Sequence, residues 1–182
     1  MVHGFLGLSF LHSSVAYLCE RMKSASLSEL KKALKICSEE QLVETALRLI
    51  KYKKENKELL TYVLFESGDE AAYIRGVKLE IETLFSEIND DTLYWAKKSI
   101  RKILRHVNKH IRYSGIKSTE VDLRIYFCQC LNASGIPFRS STTMMNLYDG
   151  QLKKVSQAME VLHEDLRFDF KKTWEDLLAC GL

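Results

Sequence analysis

Proline is almost missing from this chain of 182 residues. A single Pro argues against a loop-rich or collagen-like protein. After the first 20 positions there is no run of about 18 uncharged apolar residues, so the body of the chain does not cross a membrane. No CxxC pair occurs among Cys19, Cys37, Cys128, Cys130 and Cys180, which excludes a zinc ribbon or a thioredoxin-type motif. Neither G-x-S-x-G nor a G-x-x-x-x-G-K loop is present, so no nucleophile elbow or phosphate loop is legible. What remains is 46% apolar and 28% charged, with a net charge of +3. That composition belongs to a folded chain, long enough for one domain with a sizeable core.

Cys128 and Cys130 lie two apart in an expected helix, about 200° apart around its axis, and cannot jointly grip a metal. Buried free thiols and a reducing, cytoplasmic setting are the expectation. Residues 1–21 are apolar and carry no Lys or Arg before Arg21, so the positive start of a secretory signal is lacking. Three readings stay open for this leader: an over-long start with Met22 as the native one, a helix packed on the domain, or a degenerate signal or anchor. Residues 22–182 read as a single helical domain.

Helix signals follow one another. Ser26 with Glu29 and Ser38 with Gln41 have capping-box spacing, and Thr119 with Asp122 is a shorter version. Asp90 or Asp91 is positioned to cap the next long segment. Gly68, Gly115, Gly135, Gly150 and Gly181 each follow an apolar-periodic stretch, as helix-ending glycines do. Helices are expected near 27–36, 39–53, 55–66, 70–88, 91–113, 119–133, 141–148 and 151–179, the last with a break near Arg167. The run from Leu59 to Phe65 reads as a buried helix, since no second strand candidate exists to pair with it. Gly76, inside 70–88, is expected to mark a close helix contact. Short connections force antiparallel neighbours, which gives an all-α fold: an irregular bundle or a short stack of helix pairs. A HEAT-like stack would need a sequence repeat at 34 or 40 residues, and none is found.

The stretches YKKENKELLTYVLFE (52–66), AKKSIRKILRHVNKHIRYSG (96–115) and LHEDLRFDF (162–170) resemble an uncharacterised bacterial family of small all-helical proteins. The resemblance covers about 22–180. It implies a helical fold and a cytoplasmic bacterial setting, and it carries over no catalytic residue or cofactor.

Charge is the most informative feature. Between 91 and 117, Lys97, Lys98, Arg101, Lys102, Arg105, Lys109, Arg112 and Lys117 face Asp91 alone, a balance of +7. The remaining chain holds 19 basic and 23 acidic residues, a balance of −4. The basic positions recur at three and four, so one flank of a helix about 34 Å long is cationic. Lys98, Arg101, Lys102, Arg105, Lys109 and Arg112 are the candidate contact residues for a partner or for phosphates. Tyr94, Trp95 and Tyr113 near the ends can stack on bases. Against these readings stands an internal match: segment 69–90 carries a balance of −4, with Glu80, Glu82 and Glu87 expected to pack beside the basic helix and neutralise it.

Weaker constellations complete the reading. His106 and His110 share one side of a helix at metal-ligand spacing, but Arg105, Lys109 and Arg112 crowd them and no carboxylate lies between them. No metal is expected there. Asp165 and Asp169, with His163, Glu164 and Arg167, suit an ion-paired solvated face. Arg139 beside Ser140, Ser141, Thr142 and Thr143 is a possible anion site around the one proline. No catalytic residue and no cofactor is expected. The expected role is a helical scaffold or protein-interaction module, not an enzyme and not on a membrane. The alternative is a nucleic-acid-associated protein using the basic face.

Overall fold

The computed structural model describes residues 24–89 and 92–179. The leader 1–21 with Cys19, the alternative start at Met22, the Asp90 and Asp91 caps, Cys180 and Gly181 lie outside these residues. Where the sequence reads as one domain from residue 22, the contacts gather into two compact units that divide between Lys53 and Lys54.

The first unit holds α1 (Leu27–Lys35) and α2 (Glu39–Tyr52). Both expected capping boxes form. Ser26 N donates to Glu29 Oε2 at 2.8 Å, and Glu29 N donates back to Ser26 Oγ at 3.3 Å. Ser38 N donates to Gln41 Oε1 at 2.9 Å, and Gln41 N to Ser38 Oγ at 3.2 Å. Neither helix buries a residue, and Leu30, Leu34, Val43 and Leu47 stay exposed.

The second unit begins with α3 (Lys54–Thr61), which runs into a π-helical turn over Tyr62–Glu66, closed by Ser67 N donating to Tyr62 O at 2.8 Å. The run expected to be buried is a helix, but of it only Tyr62 is buried. Val63, Leu64 and Phe65 lie on the outer side of the wide turn. Then come α4 (Glu70–Ser86), α5 (Leu93–Ser114), α6 (Lys117–Ala133), a short 3₁₀ turn (Phe138–Ser140), α7 (Thr142–Glu160) and α8 (Glu164–Ala179). No strand occurs among the described residues, so the fold is all-α as expected. None of these helices is long and apolar enough to cross a membrane.

The core is built around α6, which contacts α4, α5, α7 and α8. Its sequence explains that position: Val121, Leu123, Ile125, Phe127, Cys128 and Leu131 are apolar on every side and all buried. A helix that is apolar all round has to be enclosed. Against it α5 presents Ala96, Ile100, Ile103, Val107 and Ile111 at spacings of three and four, and α4 presents Val77 and Ile81. Burial pushes the Cys128 thiol up to about 12, so it stays a protonated, space-filling group.

Four boundaries differ from expectation. Helix α5 is capped by Thr92, whose Oγ1 accepts from Trp95 N at 3.4 Å. Thr119 is not a cap: α6 starts at Lys117, and Thr119 is fully buried inside it. Gly150 does not stop a helix, because Tyr148, Gln151 and Val155 continue one buried face through it. The break in the last long segment falls at Val161–His163, not at Arg167. There Arg167 Nη2 donates to the carbonyls of Glu160 at 3.0 Å and Leu162 at 3.2 Å, sealing the end of α7. Gly115 (φ 68°) and Gly135 (φ 71°) take the left-handed conformation expected after helix ends. Gly76 does not mark a close contact, since a Cβ added there would meet nothing within 4 Å.

Candidate functional site: the flanks of α5

On the outer flank of α5, Lys98, Arg101, Lys102, Arg105 and Arg112 are exposed. Among the described residues none of them has a carboxylate at ion-pair distance. Two of the three acids expected to cover them are engaged elsewhere. Glu80 Oε2 lies 2.9 Å from His106 Nε2. Glu82 accepts from the Tyr126 hydroxyl. Glu87 is exposed and has no ion pair with any described residue. The internal match is therefore not made.

The sixth candidate, Lys109, differs. Its Nζ donates to Glu58 Oε2 at 2.7 Å, and the Tyr113 hydroxyl donates to the same oxygen at 3.0 Å. The Lys109 hydrogen bond holds the Glu58 carboxyl below its ordinary value, while burial and the Glu58 bond push the Tyr113 hydroxyl up to about 12. Tyr113 is thus a strut rather than a stacking surface. Tyr94 and Trp95 keep that possibility. They are 69% and 46% exposed, and their rings meet edge to face with centroids 5.3 Å apart. Lys98 Nζ lies 5.1 Å from the Trp95 ring. A shallow groove of about 650 Å³ runs between Tyr94, Lys97, Lys98, Arg101 and Arg105.

A wider cleft of about 1220 Å³ takes in Lys102, Arg105, His106, Lys109, Arg112, Lys117 and Arg124, with Glu55, Glu80 and Glu120. Its inner wall holds a saturated network. Arg124 is 6% exposed and donates to Glu120 Oε1 (3.0 Å), Asn108 Oδ1 (3.0 Å) and Gln151 Oε1 (2.7 Å). Burial works against the charge of Glu120, but its hydrogen bonds from Lys117 and Arg124 outweigh that and keep its carboxyl below the ordinary value. Glu70 plays a similar part, accepting from Tyr62 (2.8 Å), Ser114 (2.5 Å) and Thr119 (2.5 Å).

His106 and His110 do lie together, with ring centroids 4.4 Å apart. The carboxylate lacking between them in sequence arrives from α4 as Glu80, 2.9 Å from His106 Nε2 and 3.9 Å from His110 Nε2. Both Nε2 atoms are buried, and that of His110 has no hydrogen-bond partner among the described residues. His110 Nδ1 is 2.8 Å from the Tyr73 hydroxyl. Burial lowers His110 to about 4 and lowers His106 in spite of the pull from Glu80, so both rings are neutral.

The other candidates stay dispersed. His163 Nδ1 and Asp165 Oδ2 are 3.2 Å apart on open surface, and Asp169 is exposed beside them. Ser140 Oγ donates to Pro137 O at 2.7 Å, and the Arg139 guanidinium lies 5.6 Å from the Phe138 ring. Sequence reasoning missed Glu80, Tyr73 and Arg124 as site residues. Each belongs to its site through the register between two helices, and no spacing along the chain reports that register. No family model, curated protein or solved structure matches the chain, so no residue role comes from a relative.

Proposed function

We propose that the protein is a binding module that holds single-stranded nucleic acid by its phosphates on the outer flank of α5. The observation that supports this is the row Lys98, Arg101, Lys102, Arg105 and Arg112, exposed and without carboxylate partners among the described residues. Regularly spaced cations displace condensed counterions from a phosphate backbone whatever its base sequence. Exposed Tyr94 and Trp95 beside the row offer faces on which unpaired bases stack, which an acidic protein surface would not use. Free thiols at Cys37, Cys128 and Cys130 suit a reducing cytoplasm. The bacterial setting rests on the sequence resemblance alone.

The test is retention of the full chain on single-stranded DNA as salt rises. Steep salt dependence is expected, and Lys102→Glu with Arg105→Glu should abolish retention. Trp95→Ala should weaken binding to the single strand more than to a duplex. Equal elution of the double variant and the wild type at low salt would end this reading.

A second reading, a scaffold for another protein, is favoured by a separate observation: the exposed Leu30, Leu34, Val43 and Leu47 of α1 and α2. It predicts that Leu34→Glu with Leu47→Glu removes specific cross-linked partners and that the α5 variant keeps them.

A further inference from the structure

We propose that Glu80, His106 and His110 form a binding site for one divalent metal ion of the zinc class. The site does not depend on the nucleic-acid reading and extends beyond it.

Two imidazoles at i and i+4 on α5 and one carboxylate from α4 bring three donor atoms within 4.8 Å of one another. The Glu80 oxygen is 2.9 Å from one Nε2 and 3.9 Å from the other. Zinc binds nitrogen and oxygen at about 2.0–2.1 Å, so tetrahedral ligands stand about 3.3 Å apart. The two separations from Glu80 bracket that value.

Two features point to a ligand. The buried His110 Nε2 lacks a hydrogen-bond partner among the described residues, an arrangement that is costly unless something completes it. His110 Nδ1 is 2.8 Å from the Tyr73 hydroxyl; in the tautomer with its proton on Nδ1, this is the outer-sphere contact that orients a metal-binding histidine and leaves Nε2 to coordinate.

The cations that made this pair look unsuitable in sequence are accounted for. Lys109, next to His110, is tied to Glu58 at 2.7 Å, while Arg105, next to His106, and Arg112 are exposed. Two histidines and one glutamate leave a fourth position for water. Glu80 and His106 both line the wide cleft, so that position opens into it. Imidazole and carboxylate together select zinc or a similar transition ion over magnesium.

The test is titration of tag-free full-length protein with Co²⁺, read by visible absorption, followed by displacement with Zn²⁺. The expected result is saturation at one equivalent, tetrahedral bands without a thiolate charge-transfer band, and no competition from Mg²⁺. His106→Ala and His110→Ala should each lose the saturable step. Exposed Glu80→Gln, which leaves the core intact, should weaken Zn²⁺ binding by at least about 10-fold, and Tyr73→Phe by roughly 10- to 100-fold. If the histidine variants do not fold, Glu80→Gln and Tyr73→Phe decide, with circular dichroism confirming their helix content. Failure to saturate, wild-type affinity in Glu80→Gln, or a thiolate band would each overturn the site. Retention on single-stranded DNA by the α5 flank is a separate measurement and stands or falls separately.

Discussion

Lys109 and Arg105 lie four residues apart on α5 and behave differently. Lys109 is half-buried and bonded to Glu58, whereas Arg105 is exposed and carries no carboxylate partner among the described residues. Arg124 of α6 is the extreme of the first kind, 6% exposed with three acceptors around it. The contrast separates cations that hold helices together from cations that project a field. The first kind acts at short range and is spent inside the unit; the second is left for something outside. Net charge along a stretch of sequence adds the two kinds together and so says little about either.

The separation is testable by disabling one kind at a time. Arg124→Met should have the largest effect. It leaves Gln151 and Asn108 without their shared donor and Glu120 with Lys117 alone. The expected cost is about 3 kcal/mol, measured by urea denaturation. Retention of the folded variant on single-stranded DNA should not change, because Arg124 is a strut. Glu58→Gln should act in the opposite sense on binding. Losing the carboxylate frees Lys109 to join the exposed row, at a stability cost of about 1 kcal/mol. Retention should strengthen, and the slope of log affinity against log salt should steepen by about 0.7 for one added phosphate contact. If retention is unchanged, Lys109 does not belong to the same surface.

Acid should reach the struts. Glu58 and Glu120 both hold their protons more weakly in the fold than in the unfolded chain. For a lowered carboxyl, the stabilisation is complete above the ordinary value near 4.5 and fades as pH falls through the folded one. Urea midpoints measured from about pH 6 down to about 3 should therefore decline at the acid end. The decline should be shallower in Glu58→Gln, which has one such group fewer.

Much of the fold was legible because its signals are local. The boxes at Ser26 and Ser38 and the helix-ending glycines Gly115 and Gly135 each need only residues within a turn or two. Failures came where tertiary burial overrode a local sign. Gly150 looks like a stop, but the face shared by Tyr148, Gln151 and Val155 carries α7 through it. Thr119 looks like a cap, but its hydroxyl is taken by Glu70 across the unit. For the same reason the basic row was legible and its freedom was not: whether Glu80 meets lysines or histidines depends on how α4 and α5 slide along each other. Glu80 meeting His106 answered both questions at once, freeing the row and completing the histidine pair.

The smallest expected effect bears on what sets that register. Gly76 sits in α4 one turn before Glu80, and if close backbone contact held α4 against α5, any side chain there would push the helices apart. The surroundings indicate otherwise, since an added Cβ meets no atom within 4 Å and the backbone is ordinary helix. Gly76→Ala should then stabilise the protein by up to about 1 kcal/mol, through the smaller backbone entropy lost on folding. Zn²⁺ affinity should be unaffected, because Glu80 keeps its place. A destabilised variant would mean that α4 lies closer to its neighbours than the packing of Val77 and Ile81 requires, and the register would then rest on the glycine as well as on the core.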